Sequence, residues 1–255
     1  MNSQTSTTPT RLHSVPDLMP FIDEGWIGEP LYELKSGKEA TAWCCTGGPV
    51  SGMPLVVAKF YRPVEQRGFR NDAVYQAGRW DAADRRTKLA VERKTRVGQQ
   101  MRFSSWVQHE FDALRAVQSF GCRVPQAITQ QGDIVLLEFI GDEDGPAQQL
   151  KDVRLTRDSA LQHFTDLLQN VERILAAGLV HGDLSAYNIL YWQNQLVIID
   201  FPQAVDADAN PNALDLLERD LANVCSYFER CGVKADPGRI ANDMWTRWRF
   251  GELRV

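Results

Sequence analysis

The stretch that decides the fold is His181-Gly182-Asp183-Leu184-Ser185-Ala186-Tyr187-Asn188, followed by Val197-Ile198-Ile199-Asp200. It combines an H-x-D sequence, an asparagine five residues after the aspartate, and an apolar strand that ends in a second aspartate. Phosphoryl transfer needs one carboxylate for the acceptor hydroxyl, and a second carboxylate with an amide oxygen for the metal ions on the nucleotide. We therefore predict Asp183 as the base or orienting group, and Asn188 and Asp200 as metal ligands. The alternative, that these residues only cap strand ends, does not account for their joint spacing.

Two charged residues interrupt apolar patterns upstream of this stretch. Lys59 lies within the strand-like sequence Leu55–Tyr61, and Glu110 lies on the apolar face of a helix predicted over Phe103–Ser119. A charge in such a place costs desolvation energy unless it meets a partner. We predict that the two side chains pair, because a strand lysine held by a helix glutamate is how kinases position nucleotide phosphates. A snorkelling lysine and an edge glutamate are the alternative.

Two further segments are predicted to hold the nucleotide. Ser36, Gly37 and Lys38 form a turn between the first two predicted strands, where backbone N–H groups and the Ser36 hydroxyl could face phosphates. A Ser-Gly turn is also common in ordinary hairpins. Glu138 and Ile140 end the predicted strand Ile134–Ile140 and are the candidate hinge that offers backbone groups to adenine.

The order of predicted elements indicates an α+β fold with two lobes, like that of protein kinases. A small N-terminal sheet lobe with one helix is expected over about 29–140, and a reduced helical lobe over about 141–255. Residues 1–28 are predicted to be a flexible tail. The remaining elements are a helix capped by Thr156 and running to about Ala177, strands Ile189–Tyr191 and Leu196–Ile199 joined by Gln193-Asn194, and helices Ala213–Arg230 and Pro237–Phe250. Leu161, Phe164, Leu168, Val171 and Leu175 are the predicted apolar face of the first of these helices.

Composition excludes several classes of protein. The chain has 255 residues and a formal net charge of −5. It shows no secretory signal and no apolar run long enough to cross a membrane, so a cytoplasmic location with five reduced cysteines is expected. The segment 85–102 carries seven basic residues and one acidic residue. Such a segment could contact a ribosomal or RNA–protein partner, although a solvated face is the simpler interpretation.

The sequence resembles the RIO family of atypical serine/threonine protein kinases. The matching stretches are Ser36–Ala40, Ala58–Tyr61, Trp106–Phe111, Leu137–Gly141, Val180–Asn188, Ile198–Gln203 and Asn212–Asn223, the last including Arg219-Asp220. It is similar to the branch without an N-terminal winged helix, because 30 residues cannot hold one. The resemblance implies ATP and magnesium or manganese as cofactors, an unidentified protein substrate, serine autophosphorylation, and ATPase-type action in ribosome maturation.

Two other functions remain open. Small-molecule phosphotransferases of the aminoglycoside or choline kinase type share H-G-D-x-x-x-x-N, but 55 residues after Asp200 leave little material for their acceptor pocket. An ATP-gated binding switch with slow turnover would also use the same residues. The 11 residues from Asp200 to Pro211 are too few for an ordinary activation segment, and Gly182 stands where other kinases have an arginine that reads a phosphorylated loop. We therefore expect an enzyme without activation-loop control and with narrow acceptance of peptides.

Overall fold

The N-terminal half forms an antiparallel sheet in a computed structural model that describes residues 17–62 and 96–253, with side chains from residue 104 in the second range. The strands are β1 (Ile27–Ser36), β2 (Ala40–Gly47), β3 (Leu55–Tyr61), β4 (Ala127–Gln131) and β5 (Ile134–Glu138), in the order β1-β2-β3-β5-β4. Helices α1 (Met19–Asp23) and α2 (Arg96–Ser119) complete this lobe. Strand β4 was not predicted from the sequence.

The structure differs from two predicted boundaries in this lobe. Residues 17–28 are not tail, because Leu18, Phe21 and Ile27 are buried against the sheet. Helix α2 begins seven residues before the predicted Phe103, because the sequence of residues 96–102 has no apolar period from which a helix could be predicted. The tail residues 1–16 and most of the basic segment 85–102 lie outside the described residues, so the predicted partner surface stays a prediction.

Each face of the sheet has its own core. On the outer face, Phe60 of β3 packs in one cluster with α1. On the inner face, Tyr61 of β3 packs edge-on against Trp106 of α2, with 4.8 Å between ring centroids. Lys59 shares the inner face because side chains alternate along a strand. This assignment of faces decides which side chains can reach the cleft below the sheet.

The second half is largely helical, as predicted. Its elements are β6 (Gly141–Asp142), β7 (Gly145–Pro146), β8 (Gln148–Gln149), a 3₁₀ turn (Leu150–Asp152), α3 (Arg157–Ala176), β9 (Leu179–Val180), β10 (Ile189–Trp192), β11 (Gln195–Ile198), β12 (Val205–Asp206), α4 (Ala213–Arg230) and α5 (Pro237–Arg249). Thr156 caps α3 as predicted, accepting from Ser159 N. Gln193 and Asn194 both have positive φ, which confirms the tight turn between β10 and β11.

One predicted core position is wrong. Leu161 of α3 is 59% exposed, whereas Phe164, Val171 and Leu175 are buried as expected. The buried stripe of α3 runs through Ala160, Phe164 and Leu167, and Leu161 lies outside it.

No helix within residues 17–62 and 96–253 is long and apolar enough to cross a membrane.

Candidate active site

A lysine and two carboxylates meet where the sheet faces the helical lobe. Lys59 Nζ lies 2.7 Å from Glu110 Oε1 and 2.5 Å from Asp200 Oδ1. Glu110 is fully buried on α2, and its Oε1 also accepts from the Phe201 backbone N–H at 3.2 Å. The predicted pairing of Lys59 with Glu110 is therefore present in the structure, and Asp200 joins it from the other lobe.

Burial and charge oppose each other within this group. Burial alone would lower the pKa of Lys59, but the charges of Asp200 and Glu110 outweigh it and raise the pKa above its ordinary value. Burial raises the pKa of Glu110 despite the attraction of Lys59. Burial would also raise the pKa of Asp200, yet Lys59 lowers it, with smaller contributions from His181 and Lys35. The Asp200 side chain is 37% exposed, so solvent screens part of its attraction to Lys59.

Asp200 adopts an unusual backbone conformation. Its φ is +72°, in the left-handed region that side-chain-bearing residues seldom occupy, although aspartate tolerates it better than most. Strain of this kind persists where surrounding contacts fix it, and it is concentrated at functional sites. The backbone is held on both sides of Asp200, because Ile199 N–H donates to the Asn188 carbonyl at 2.9 Å and Phe201 N–H donates to Glu110 Oε1.

Asp183 and Asn188 form a second pair in the loop between β9 and β10. Asn188 Nδ2 donates to the Asp183 carbonyl at 2.8 Å and to Asp183 Oδ2 at 3.1 Å. Both bonds use the amide nitrogen, so Asn188 Oδ1 is left as the free ligand atom. Partial burial raises the pKa of the Asp183 carboxyl, and Asp200 adds to the rise against Asn188 and Arg219. A raised pKa makes Asp183 a better proton acceptor.

His181 supports the loop as a neutral side chain. Its Nε2 lies 3.1 Å from the Ile199 carbonyl, and its Nδ1 lies 3.2 Å from the Asp183 backbone N–H. The carbonyl requires a donor and the N–H requires an acceptor, so the imidazole carries its proton on Nε2. Burial lowers the pKa of His181 to about 4, which agrees with the neutral form. His181 thus ties Asp183 to the strand that precedes Asp200.

Helix α4 holds the peptide groups on both sides of Asp183. Asp220, 1% exposed, accepts from the backbone N–H groups of Gly182 at 2.8 Å and Leu184 at 2.9 Å. Arg219 donates to the Gly182 carbonyl, and Asn223 Nδ2 donates to the Leu184 carbonyl at 3.1 Å. We call Arg219, Asp220 and Asn223 the catalytic brace.

The catalytic brace was not predicted as functional, although Arg219-Asp220 belongs to a stretch that carries the family resemblance. Gly182 has a φ of +79°, a conformation that glycine adopts without cost, and the brace holds this peptide at both ends. Burial raises the pKa of Asp220 to about 7, although its two backbone hydrogen bonds and Arg219 oppose this.

The hairpin of residues 35–41 corrects one predicted contact. Ser36 pairs with Thr41, which pairs with Phe60, so all three side chains lie on the outer face of the sheet. There Arg62 Nη2 donates to Ser36 Oγ at 2.7 Å and to Thr41 Oγ1 at 2.9 Å. The Ser36 hydroxyl therefore does not face the cleft, contrary to prediction, because strand register places it on the opposite face from Lys59.

The turn of this hairpin extends toward the helical lobe. Gly37 N donates to the Ala40 carbonyl at 2.9 Å, and Lys38 is exposed. Glu39 Oε1 accepts from Gln203 Nε2 at 3.4 Å. Gln203 follows Asp200 by three residues, so this contact brings the hairpin turn close to the proposed metal ligand. Nucleotide binding by Gly37 and Lys38 stays a prediction.

Glu138 and Ile140 lie where the sheet lobe leads into the helical lobe, as predicted. Glu138 Oε2 accepts from the Gln126 backbone N–H at 3.0 Å, so the carboxylate is used within the sheet. The Ile140 carbonyl accepts from Ala147 N at 2.9 Å, whereas its own N–H makes no hydrogen bond with any described residue. Binding of adenine by the backbone of Glu138 and Ile140 stays a prediction.

Comparison with known proteins agrees with this geometry. The family model of the RIO domain matches residues 52–240, from the loop before β3 into α5. The chain belongs to the RIO family. The RIO-type serine/threonine-protein kinase Rio1 of Haloferax volcanii is 35% identical over 216 residues, which cover 85% of this chain and 69% of that protein. The human serine/threonine-protein kinase RIO1 is 35% identical over 130 residues, 51% of this chain and 23% of that protein.

Solved RIO structures share the fold. The Chaetomium thermophilum Rio2 kinase, solved as an ADP/Mg²⁺-phosphoaspartate complex, aligns with a TM-score of 0.62 at 22% sequence identity. The alignment covers 90% of this RIO chain and 64% of the Rio2 chain. A second Rio2 structure from the same organism gives a TM-score of 0.61 and 66% coverage of its chain. The predicted two-lobed α+β kinase fold is confirmed, and membership of a serine/threonine kinase family does not favour the small-molecule phosphotransferase alternative.

Proposed function

We propose that this RIO protein binds Mg²⁺-ATP between its two lobes and transfers the terminal phosphoryl group to serine hydroxyls of a protein, including its own. The observation that carries the proposal is the meeting of Lys59, Glu110 and Asp200 beside the Asp183–Asn188 pair. Relatives named as serine/threonine kinases support the acceptor class. The adenine ring would contact the hinge at Glu138–Ile140.

The oxygen atoms available fit magnesium. Asn188 binds Asp183 through its amide nitrogen, which leaves the amide oxygen Oδ1 for a metal ion. Asp200 binds Lys59 through Oδ1, which leaves Oδ2. Magnesium prefers few protein oxygens together with phosphate oxygens and water. Among the described residues no cluster of three or more His, Cys, Asp or Glu could hold a metal by itself, so a site shared with phosphates fits best. The bound ion would neutralise phosphate charge.

Asp183 would act on the acceptor side. A serine hydroxyl within hydrogen-bond distance of its carboxylate would be oriented for in-line attack on the γ-phosphorus. As the new phosphoester bond forms, the hydroxyl proton would move to Asp183, and the bond to the β–γ bridging oxygen would break to release ADP. Lys59 would contact the nucleotide phosphates while Glu110 and Asp200 hold it in place. Chemistry of this kind depends on positioning, which the rigid contacts around Asp183 supply.

The test is transfer from radiolabelled ATP to a serine-containing protein and to the enzyme itself, with and without magnesium. Wild type should label serine only when magnesium is present. Asn188→Ala should lose magnesium-dependent ATP affinity, whereas Asn242→Ala on α5 is a matched control that should behave as wild type.

The remaining outcomes separate the other functions. Labelling of an aminoglycoside or of choline, with no labelling of protein, would replace the proposal by a small-molecule phosphotransferase. Tight magnesium-dependent ATP binding without transfer to any acceptor would leave an ATP-gated switch.

A further inference from the structure

Lys35 lies on the face of the sheet that covers the cleft. It pairs with Ala42 of β2, and Ala42 pairs with Lys59 of β3. Directly opposed residues of antiparallel strands place their side chains on the same face. Lys35 and Lys59 therefore belong to one cross-strand row, with only the small side chain of Ala42 between them.

A bulge in β1 produces this arrangement. The register shifts between Glu33 and Lys35, so that two steps along β1 oppose one step along β2. In a regular strand Lys35 would share the face of Glu33, two residues earlier. The bulge turns the Lys35 side chain toward the cleft and the Ser36 side chain toward the outer face, beside Arg62.

The positive charge of Lys35 has no partner within residues 17–62 and 96–253. It makes no hydrogen bond or ion pair there, whereas Lys59 is already bound to Glu110 and Asp200. The charge of Lys35 also helps to lower the pKa of Asp200, after the larger effect of Lys59. The cleft carries three carboxylates, Glu110, Asp183 and Asp200, and Lys59 is already paired with two of them, so a polyphosphate needs further cations here.

We propose that Lys35 is a nucleotide-binding residue whose ammonium contacts the terminal phosphates of ATP from the 35–41 hairpin, in the place predicted for the Ser36 hydroxyl. The inference rests on the proposed function, since it names a further ligand for the same nucleotide. The position of Lys35 near Asp200 assigns its ammonium to the β- and γ-phosphates, because the metal ions of kinases bridge those two groups.

Titration calorimetry with ATP, ADP and adenosine tests the assignment in magnesium buffer. Lys35→Met should weaken ATP binding by about tenfold, typical of a lost charge-assisted contact, with a smaller loss for ADP and none for adenosine. Lys35→Arg should keep most of the affinity. The loss should shrink as salt rises, because exposed charges are screened.

Two comparisons make the result decisive. Lys234→Met, an exposed lysine after α4, is the matched control and should bind all three ligands as wild type does. Equal weakening of ATP and adenosine by Lys35→Met, or no weakening of either, would overturn the assignment of Lys35. Failure of wild type to bind ATP would instead overturn the proposed function.

Discussion

The loop between β9 and β10 carries Asp183, and we call it the catalytic loop. It faces the same cleft as the 35–41 hairpin, but the two are held in different ways. Peptide groups on both sides of Asp183 make four hydrogen bonds with α4: two N–H groups donate to Asp220, and two carbonyls accept from Arg219 and Asn223. The hairpin is exposed or half-buried, and beyond its own strand pairing it is held by side-chain contacts of Arg62 and Gln203. Buried hydrogen bonds cost more to break than exposed ones. The catalytic loop should therefore be rigid. Substitutions in the 35–41 hairpin should be tolerated and should each lower ATP affinity only in part.

Removing the Asp183 carboxylate from the catalytic loop should have the largest effect on activity. Asp183→Asn should lower the rate of phosphoryl transfer by about 10²–10⁴-fold, the usual contribution of a general base. The ATP dissociation constant should change little, because Asp183 acts on the acceptor. Single-turnover transfer and fluorescent nucleotide titration measure the two quantities separately. A variant that transfers at the wild-type rate would remove Asp183 from the mechanism.

Breaking the catalytic brace should come next. Asp220→Ala leaves two buried backbone N–H groups without an acceptor, which should cost about 2–3 kcal/mol of unfolding free energy. If the variant folds, kcat should fall by about 10- to 100-fold from lost positioning, with the KM for ATP nearly unchanged. Asp215→Asn, exposed in the first turn of α4, is the control. A rise in KM without a fall in kcat would show that the brace does not position Asp183.

Acid should weaken the catalytic loop through His181. Its folded-state pKa of about 4 lies below the ordinary value of 6.5, so the unfolded chain binds more protons between these pH values. The contribution of His181 to stability should be complete above pH 6.5 and should fall by about 3 kcal/mol as pH drops to 4. Asp220, whose pKa burial raises to about 7, changes stability in the opposite direction.

Denaturant unfolding of wild type and His181→Asn at several pH values isolates the His181 contribution from that of Asp220. The stability difference between the two proteins should shrink as pH falls from 6.5 to 4. A difference that is independent of pH would contradict a buried neutral histidine.

The smallest effect is expected on the outer face of the hairpin. Arg62→Met removes two hydrogen bonds to hydroxyls and should raise the KM for ATP about three- to fivefold, with kcat unchanged. Combining it with Ser36→Ala should add little, because both changes break the same contact. Arg115→Met, exposed on α2, is the control. Full additivity in this double-mutant cycle would mean that Arg62 acts elsewhere.

The sequence predicted the centre of the site because that part is encoded locally. Lys59 and Glu110 stood out as charges inside apolar patterns, and Asp183, Asn188 and Asp200 stood out by spacing. The face of Ser36 could not be predicted in this way. A one-residue change in register moves a side chain to the other face, and the bulge before Lys35 has no clear signal in composition.

The catalytic brace shows a second limit of sequence reasoning. In the series Glu218-Arg219-Asp220, only Asp220 falls on the apolar stripe of α4, but the stripe does not indicate what a carboxylate there binds. Asp220 is buried because α4 packs under a loop far away in the chain, whose N–H groups need an acceptor. Only the tertiary contact shows that Asp220 binds backbone N–H groups, whereas Glu218 is exposed.

The left-handed backbone of Asp200 bears on how this protein could be engineered for heat resistance. A non-glycine residue in that region carries a conformational cost of about 1–2 kcal/mol. A glycine at position 200 would remove that cost and would also discard the carboxylate proposed to bind magnesium. The same change would break the ion pair with Lys59, so relief of backbone strain and loss of that contact would oppose each other, and a variant selected here for heat resistance would lack its proposed metal ligand. Any such library should keep residue 200 fixed, or should sort its variants on turnover before heat.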